Sequence, residues 1–591
     1  MTPRAPKRWT DVVLSFMTVR LAVWVALAHA IVPGWFDQPW HLLEYMDDHQ
    51  HHALDVVGRI SYLKYHQFPL WNPYGCGGTP GIGEPEAIYL SPDYLVRALF
   101  FGVERGRHVV LLLGFVLALE GMFRLARKFD ASALASAYVA LLWSTQPFLQ
   151  TAVQNGAHNF LIGFALTPWA LLCFHEGLTS VPWRLFGGFV VAWILLCAGT
   201  YPTPYTLFVL FLSTLWVTGT ALVRGKQGEW MRPWTTLVTM GVISFLLTAP
   251  KLFPLLSFLG SNKRTWLVVE TNAAGTMFNE LTTRYPWLLV AAFVALLFLD
   301  RAAAFFVAIA ALFFVVSLGD FDPLAPYHLL RSLPLLGQLR QPERYLLLTL
   351  LFLCLAGARG ITLLEDALPA LVRRMFGREP VPRAIHAGLV LLSAGLVALA
   401  LYPRAKATAT ESTVSAGALF TFEAPRKMDQ PFRQARGNRR DIHVFNYAGL
   451  GSLYCIVGIQ IPVSPALRAD LPAEEYPLDP TKATVQRLEW TPNRIELAVD
   501  AKEPTRIIVN QNWNAHFRAS VGRVVSHEGL LAVDVPAGTH RLRIAYVDRG
   551  FDVGLVMASV TLLGLLAYSG WYLRRHVAHL LSRYRTLPFW P

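Results

Sequence analysis

A chain of 591 residues that is 54% hydrophobic and only 15% charged, with a mean hydropathy of +0.39, does not read as a soluble globular protein. Its long apolar runs point to a polytopic α-helical membrane protein. The net charge of +13 gives no nucleic-acid signal, because the basic residues stand mostly in short loops beside apolar runs and no basic stripe with interleaved aromatics offers base stacking.

Arg4, Lys7 and Arg8 precede the first apolar run, and no small-residue cleavage site ends it, so it reads as a retained span. About twelve spans are expected, near 11–33, 107–126, 133–152, 158–176, 185–201, 204–223, 235–258, 285–299, 302–318, 344–361, 384–402 and 553–573. The basic groups at Arg4, Arg124/Arg127/Lys128, Arg224/Lys226/Arg232, Arg373/Arg374 and Arg574/Arg575 then share one side, which the positive-inside rule makes the cytoplasm. Both termini lie there. The expected division is a transmembrane domain over 1–402 with an outer loop at 34–106, an outer domain over 403–552, and a last span with a basic tail over 553–591. Five cysteines are too few for a disulfide scaffold. Cys173, Cys197 and Cys354 sit in apolar runs as packing residues, while Cys76 and Cys455 both fall outside, where a bridge between them is possible.

The outer loop concentrates the chemistry-bearing residues. Asp47 and Asp48 stand just past the first span, where a carboxylate is costly without a task or a partner. Leu54, Val57, Ile60 and Leu63 follow at helical spacing. Trp71-Asn72-Pro73-Tyr74-Gly75-Cys76-Gly77-Gly78-Thr79-Pro80 is too rich in Gly and Pro for a helix, and its glycines let backbone approach a ligand closely. The loop reads as the floor of an active site at the membrane surface. A structural loop with solvated or helix-capping acids is the plainer alternative.

Segment 403–552 changes character. Arg494-Ile495-Glu496-Leu497-Ala498-Val499, Arg506-Ile507-Ile508-Val509, Leu531-Ala532-Val533-Asp534-Val535 and His540-Arg541-Leu542-Arg543-Ile544 read as short strands separated by turns, which predicts a β-sandwich. Residues 403–480 are less patterned. No dinucleotide or P-loop motif is present, and no cytoplasmic loop is large enough for a nucleotide-binding domain, so a lipid-linked donor would suit an outer site.

The acid after the first span, the segment Pro69-Leu70-Trp71-Asn72-Pro73-Tyr74 with its trailing glycines, and Leu339-Arg340-Gln341-Pro342-Glu343-Arg344 before a late span resemble the bacterial YfhO-type membrane proteins of the GT-C class of glycosyltransferases. Gly156-Ala157-His158-Asn159-Phe160, Ala198-Gly199-Thr200-Tyr201-Pro202 and Val535-Pro536-Ala537-Gly538-Thr539-His540 extend the resemblance over nearly the whole chain. Thr200 and Tyr201 depart from the family's usual His-Pro. The resemblance implies a bacterial cytoplasmic-membrane enzyme. It would move a sugar from a polyprenyl-phosphate carrier to an envelope glycan, lipid or protein acceptor on the outer face, with Asp47 at the position of the catalytic acid and Asp48 beside it.

Such a transfer needs a base for the acceptor hydroxyl and cations for the departing phosphate. Asp47 or Asp48 is the expected base in an inverting reaction. Arg340 and Arg344 are expected to hold the donor phosphate as guanidinium forks, with Arg264 and its neighbour Lys263 as weaker candidates, although snorkelling to headgroups also explains them. His51, Trp71, Asn72, Tyr74, Glu86, Asn155 and His158 are candidates for sugar or acceptor contacts. No cofactor is required by this reading, but Asp47, Glu84, Glu86, Asp320 and Asp322 are acids that can hold Mg²⁺ or Mn²⁺. The His49, His51 and His52 cluster lacks the partners of a zinc site. Two rival classes remain: a transporter or flippase of lipid-linked sugars, which predicts paired broken spans, and a non-catalytic membrane protein presenting a glycan-binding β-domain.

Overall fold

A computed structural model of the chain describes residues 17–31, 46–146, 148–149, 158–197, 199–262, 272, 274–333, 336, 339, 341–376, 431–437, 442–455 and 461–585. Helix α1 (Met17–Ile31) is followed by α2 (Met46–Leu63), the short pair β1 (Trp71–Asn72) and β2 (Thr79–Pro80), and α3 (Pro92–Val96), which passes through a π-turn into α4 (Val103–Lys128). The helices α5 (Ala133–Ser144), α6 (His158–Gly177), α7 (Val181–Leu196), α8 (Pro202–Val223), α9 (Met231–Ser261), α10 (Ala274–Arg284), α11 (Pro286–Leu297), α12 (Arg301–Ser317), α13 (Pro326–Arg331) and α14 (Leu346–Phe376) complete the apolar part.

Local signals fix many of these boundaries. Ser132 Oγ accepts from Ala135 N and Asp300 carboxylate from Ala303 N, each closing a helix start. Pro182, Pro202 and Pro286 occupy first-turn positions, where no N–H is needed. Pro168, Pro250 and Pro254 instead lie inside α6 and α9, where packed neighbours make the lost hydrogen bonds tolerable.

Among the described residues, six helices are long and apolar enough to cross a membrane, or seven if α10 and α11, bent by 91°, form one span. Twelve were expected. Four further apolar helices, α1, α5, α7 and α12, are described over fewer than 18 residues each, and 384–402 together with parts of the expected spans 11–33 and 133–152 lies outside the described residues. The last expected span, 553–573, belongs to a longer helix, α16 (Arg549–Arg585). Arg20 and Glu120 form a buried ion pair inside the apolar part. Arg20 donates through two nitrogens to Glu120 at 2.7 Å each, and Trp24 Nε1 adds a third bond at 2.8 Å, which offsets the cost of burying either ion.

The described part of the β-rich region starts with β3 (Gln434–Ala435), α15 (Ile442–Tyr447) and β4 (Gly451–Ser452). Strands β5 (Glu475–Pro477), β6 (Ala483–Thr491), β7 (Arg494–Ala501), β8 (Thr505–Asn512), β9 (Phe517–Ala519), β10 (Arg523–His527), β11 (Leu530–Val535) and β12 (Gly538–Tyr546) then form two four-stranded antiparallel sheets, ordered β10-β11-β8-β5 and β6-β7-β12-β9. The alternation seen in the sequence places Leu497, Val499, Val509, Leu531, Val533 and Leu542 between them. Ile508 breaks the alternation because β8 is covered on its other face as well, where Leu467 and Ala466 pack over Ile508, Leu530 and Ala532.

The Gly- and Pro-rich loop after α2 and this β-rich region form one packed unit. Cys76 is disulfide-bonded to Cys455, the pairing left open by the sequence. Closing so long a segment restricts the unfolded chain. Replacing Cys76 with Ser is therefore expected to lower outer-domain stability by about 2–4 kcal/mol, read as the thermal midpoint of the purified protein with and without reductant.

Glu474 makes a second tie. Its Oε1 accepts from Gln434 N in β3 and from Asn510 Nδ2 in β8, and burial pushes its carboxyl from the ordinary 4.5 up to about 8. The folded domain retains a proton that the unfolded chain releases above pH 4.5. Stability present below that pH is therefore lost as pH rises towards 8, with a slope approaching about 1.4 kcal/mol per pH unit. Glu474→Gln is expected to flatten this part of a pH-dependent thermal unfolding profile.

Candidate functional site

Helix α2 carries the acidic pair in its first turn and packs its apolar side on the rest of the loop. Leu54 and Val57 are buried and Ile60 half-buried, whereas Leu63 is exposed. Gly58 allows the close approach of the following segment, since a Cβ there would stand 2.2 Å from Tyr94 Oη. The helix is locked by Asp55, whose two carboxylate oxygens accept from Arg97 Nη1 and Nη2 at 2.7 and 2.9 Å, and by Tyr94 Oη, which donates to the Asp55 carbonyl. Both charged side chains are about 5% exposed.

A narrow cleft runs along this helix, with about 40 Å³ open to water-sized groups, and Gln50, Asn72, Tyr74, Glu84, Asn446 and Tyr454 contribute to its walls. Gln50 Nε2 donates to Glu86 Oε2 at 2.7 Å. Glu84 is buried, its Oε2 has no hydrogen-bond partner, and burial raises its carboxyl above the usual range against the pull of the Lys251 ammonium. Lys251 reaches from α9 to donate to the carbonyls of Ile82 and Glu84, fastening the loop to the end of the bundle. Asp93 adds a second fastening, accepting from Trp193 Nε1 at 2.9 Å and from Cys197 Sγ at 3.1 Å.

Four residues after Cys197, the chain enters a second constellation. The Arg344 guanidinium lies over the rings of Tyr201 at 4.1 Å, Phe148 at 5.3 Å and Phe160 at 5.8 Å. Tyr201 neighbours Tyr205, whose ring lies 4.4 Å from that of Tyr345. The hydroxyls of Tyr201, Tyr205 and Tyr345 are buried without a hydrogen-bond partner, and so are both amide atoms of Asn159. Among the described residues no carboxylate pairs with Arg344. Tyr327 Oη donates to the Leu339 carbonyl at 2.7 Å and steadies the segment that delivers Arg344. A cation held on aromatic faces and ringed by unsatisfied polar atoms is an arrangement that an anion with hydroxyl groups would complete.

Three of the segments singled out in sequence therefore meet here: Asn159-Phe160, Tyr201 and Arg344. The other expected site residues are placed differently. Trp71 is 1% exposed; its Nε1 donates to Gln511 and its ring packs on Phe517 and Tyr546 in the core of the outer domain. Tyr74 is likewise buried, against Phe432 and Trp490, although it lines the cleft. Asn72 Oδ1 accepts from Tyr74 N and shapes the turn. His51 is half-buried in α2. Asp320 pairs with His328 and Arg331, and Asp322 caps a turn at Leu324, so these two acids are engaged apart from Glu84 and Glu86. Among the described residues no group of three His, Cys, Asp or Glu is arranged to hold a metal. The side chains of Asp47, Asp48 and His158, and the whole of Asn155, Lys263, Arg264 and Arg340, lie outside the described residues.

Lys251, Asp93, Tyr205 and Tyr345 were not singled out from sequence, and Glu84 was named there only as a metal candidate. Lys251 had a legible signal, an ionisable residue between two prolines of an apolar run. The tyrosine hydroxyls had none, since only the packed bundle shows that they lack partners.

No protein-family model matches the chain, and no curated protein matches it either. Among solved structures, the chain resembles the Archaeoglobus fulgidus oligosaccharyltransferase tethered with an acceptor peptide, at 11% identity and a TM-score of 0.43 over 76% of this chain and 64% of that one. It also resembles the archaeal oligosaccharyltransferase AglB from Archaeoglobus fulgidus in complex with an inhibitory peptide and a dolichol-phosphate, at 13% identity and a TM-score of 0.43 over 76% and 64%. A third likeness is to ArnT from Cupriavidus metallidurans bound to undecaprenyl phosphate, at 13% identity and a TM-score of 0.44 over 74% and 86%. The chain thus spans less than two thirds of the oligosaccharyltransferase chains, and likeness of this degree carries no weight for its activity.

Proposed function

We propose that the protein is an integral-membrane glycosyltransferase that moves a sugar from a polyprenyl-phosphate donor to an acceptor on the outer face of the cytoplasmic membrane. The observation that carries this reading is Arg344, half-buried on three aromatic rings, with no carboxylate paired to it among the described residues and with partnerless tyrosine hydroxyls close by. A phosphate monoanion or diester supplies the missing countercharge, and a sugar supplies hydroxyls for the tyrosines. The sequence resemblance points to the same donor class.

In this reading Arg344 holds the donor phosphate while the bond from the anomeric carbon to the phosphate oxygen breaks. The electron pair leaves with the polyprenyl phosphate, and the guanidinium stabilises that charge. The acceptor oxygen bonds to the anomeric carbon from the opposite face, its proton passes to the carboxylate of Asp47 or Asp48, and the configuration inverts. Neither step requires a cofactor, and a divalent cation remains an optional addition through Glu84 or Glu86. The loop–domain unit is the acceptor side of the site.

The test uses purified full-length protein with a panel of synthetic polyprenyl-phosphate sugars and membrane-derived acceptors. Asp47→Asn or Asp48→Asn is expected to lower transfer by about 10²–10⁴-fold with donor binding retained. Unchanged transfer in both variants removes the base from α2.

A further inference from the structure

The cleft along α2 contains polar atoms that its own walls do not satisfy. Those walls come from distant parts of the chain: Gln50 and Ala53 from α2, Thr79 and Glu84 from the loop, Asn446 from α15, and Tyr454. Two ties fix them relative to one another. Asn446 Nδ2 donates to the Ala53 carbonyl at 3.0 Å, and the Cys76–Cys455 bridge fastens the residue after Tyr454 to the loop. The cleft is thus preformed, and a ligand entering it does not have to order it first.

Glu84 is 4% exposed and Asn446 1%. Among the described residues, Glu84 Oε2 and Asn446 Oδ1 each lack a hydrogen-bond partner. The bond from Nδ2 to Ala53 settles which end of the Asn446 amide is the acceptor. A buried polar atom left without a partner is costly, and two on one cleft call for an occupant. Lys251 already brings its ammonium to the Glu84 carbonyl, so the cleft lacks hydrogen-bond partners rather than positive charge. Neutral hydroxyl groups fit that need. The open space of about 40 Å³ admits roughly three water-sized groups, which is one edge of a sugar ring or the end of a polyol and not a whole ring. Tyr454, 39% exposed, leaves an aromatic ring at the rim for the part that stays outside.

We infer that this cleft recognises adjacent hydroxyls of a polyhydroxylated acceptor, with Glu84 and Asn446 as its specificity-determining residues. The inference rests on the transferase reading above, in which the loop and the β-rich region face the acceptor. One hydroxyl donates to Asn446 Oδ1 and its neighbour hydrogen-bonds to Glu84 Oε2. A peptide side chain or an acyl chain offers no such pair and leaves both oxygens bare, so the cleft selects against it.

The test uses full-length protein in nanodiscs, without donor, and reads the binding of glycerol and methyl β-glucoside by saturation-transfer difference NMR. The comparison probes are 1,3-propanediol and deoxygenated methyl glucosides, in which the adjacent pair is broken. Probes with the intact pair are expected to bind about tenfold more tightly. Glu84→Leu is expected to weaken their binding by about tenfold, whereas Glu84→Gln, which keeps a hydrogen-bonding group in place, stays within a few fold of the unmodified protein. Should Glu84→Leu fail to fold, Ala53→Val, which narrows the cleft and leaves both oxygens in place, is expected to abolish binding. Selective probe binding in a protein that shows no transfer from any donor keeps the hydroxyl site and overturns the transferase reading. Transfer accompanied by equal binding of paired and unpaired probes, or by binding indifferent to Glu84→Leu and Ala53→Val, overturns the site. Binding of no probe at all, the result for a cleft that holds only water, overturns it as well.

Discussion

Arg344→Met is expected to cut sugar transfer by about 10²–10³-fold while leaving the thermal midpoint unchanged or higher. A buried arginine that serves the fold has a carboxylate, and its loss destabilises. Arg344 has aromatic faces instead, so removing its charge relieves a desolvation cost in the empty site and deprives only the bound donor. Arg344→Lys preserves the charge but not the planar fork or its stacking on Tyr201, and is expected to recover only a minor part of the activity. Measuring transfer and thermal unfolding on the same preparations separates the two roles: a fall in midpoint of several degrees together with activity assigns Arg344 to the fold.

The Asp55–Arg97 pair has the opposite signature. Both groups are almost fully buried and bonded through two hydrogen bonds, and the pair joins α2 to the π-turn ahead of α4. Arg97→Met leaves a carboxylate in an apolar setting, at a cost of about 3–5 kcal/mol. The double variant Asp55→Leu with Arg97→Met removes both charges and is expected to recover most of that loss. Thermal unfolding of the single and double variants checks this. A double variant as unstable as the single one shows that packing of the arginine stem, rather than the charge, holds the junction.

The β-rich region was the most legible part of the chain. Period-two runs such as His540-Arg541-Leu542-Arg543-Ile544 became β12, because a sandwich buries one face of the strand, here Leu542 and Ile544, and leaves Arg541 and Arg543 exposed. The exception, Ile507-Ile508-Val509, has both faces covered by structure far away in sequence. Apolar helices were also legible: hydropathy registers that residues 133–144 and 301–317 are apolar, while their first residues are set by caps at Ser132 and Asp300.

At the site, the limits were of another kind. The meeting of Phe160, Tyr201 and Arg344 follows from tertiary packing, though each segment stood out on its own. Trp71 stood as a candidate for sugar or acceptor contact within a Gly- and Pro-rich segment. Its true surroundings, Gln511, Phe517 and Tyr546, lie more than 400 residues on. Buried charges at Arg20, Glu120 and Lys251 were visible as ionisable residues within apolar runs, yet their partners were not, since spacing along the chain says nothing about pairs such as Arg20 and Glu120.

The most direct measurement is photo-crosslinking of the full-length protein with a polyprenyl-phosphate sugar carrying a diazirine near the phosphate, with adducts mapped by mass spectrometry. The account predicts adducts in the peptides around Tyr201–Tyr205 and Gln341–Tyr345, competed by unlabelled donor and lost in Arg344→Met. Competed adducts confined to other helices, with none at these two segments, would contradict it.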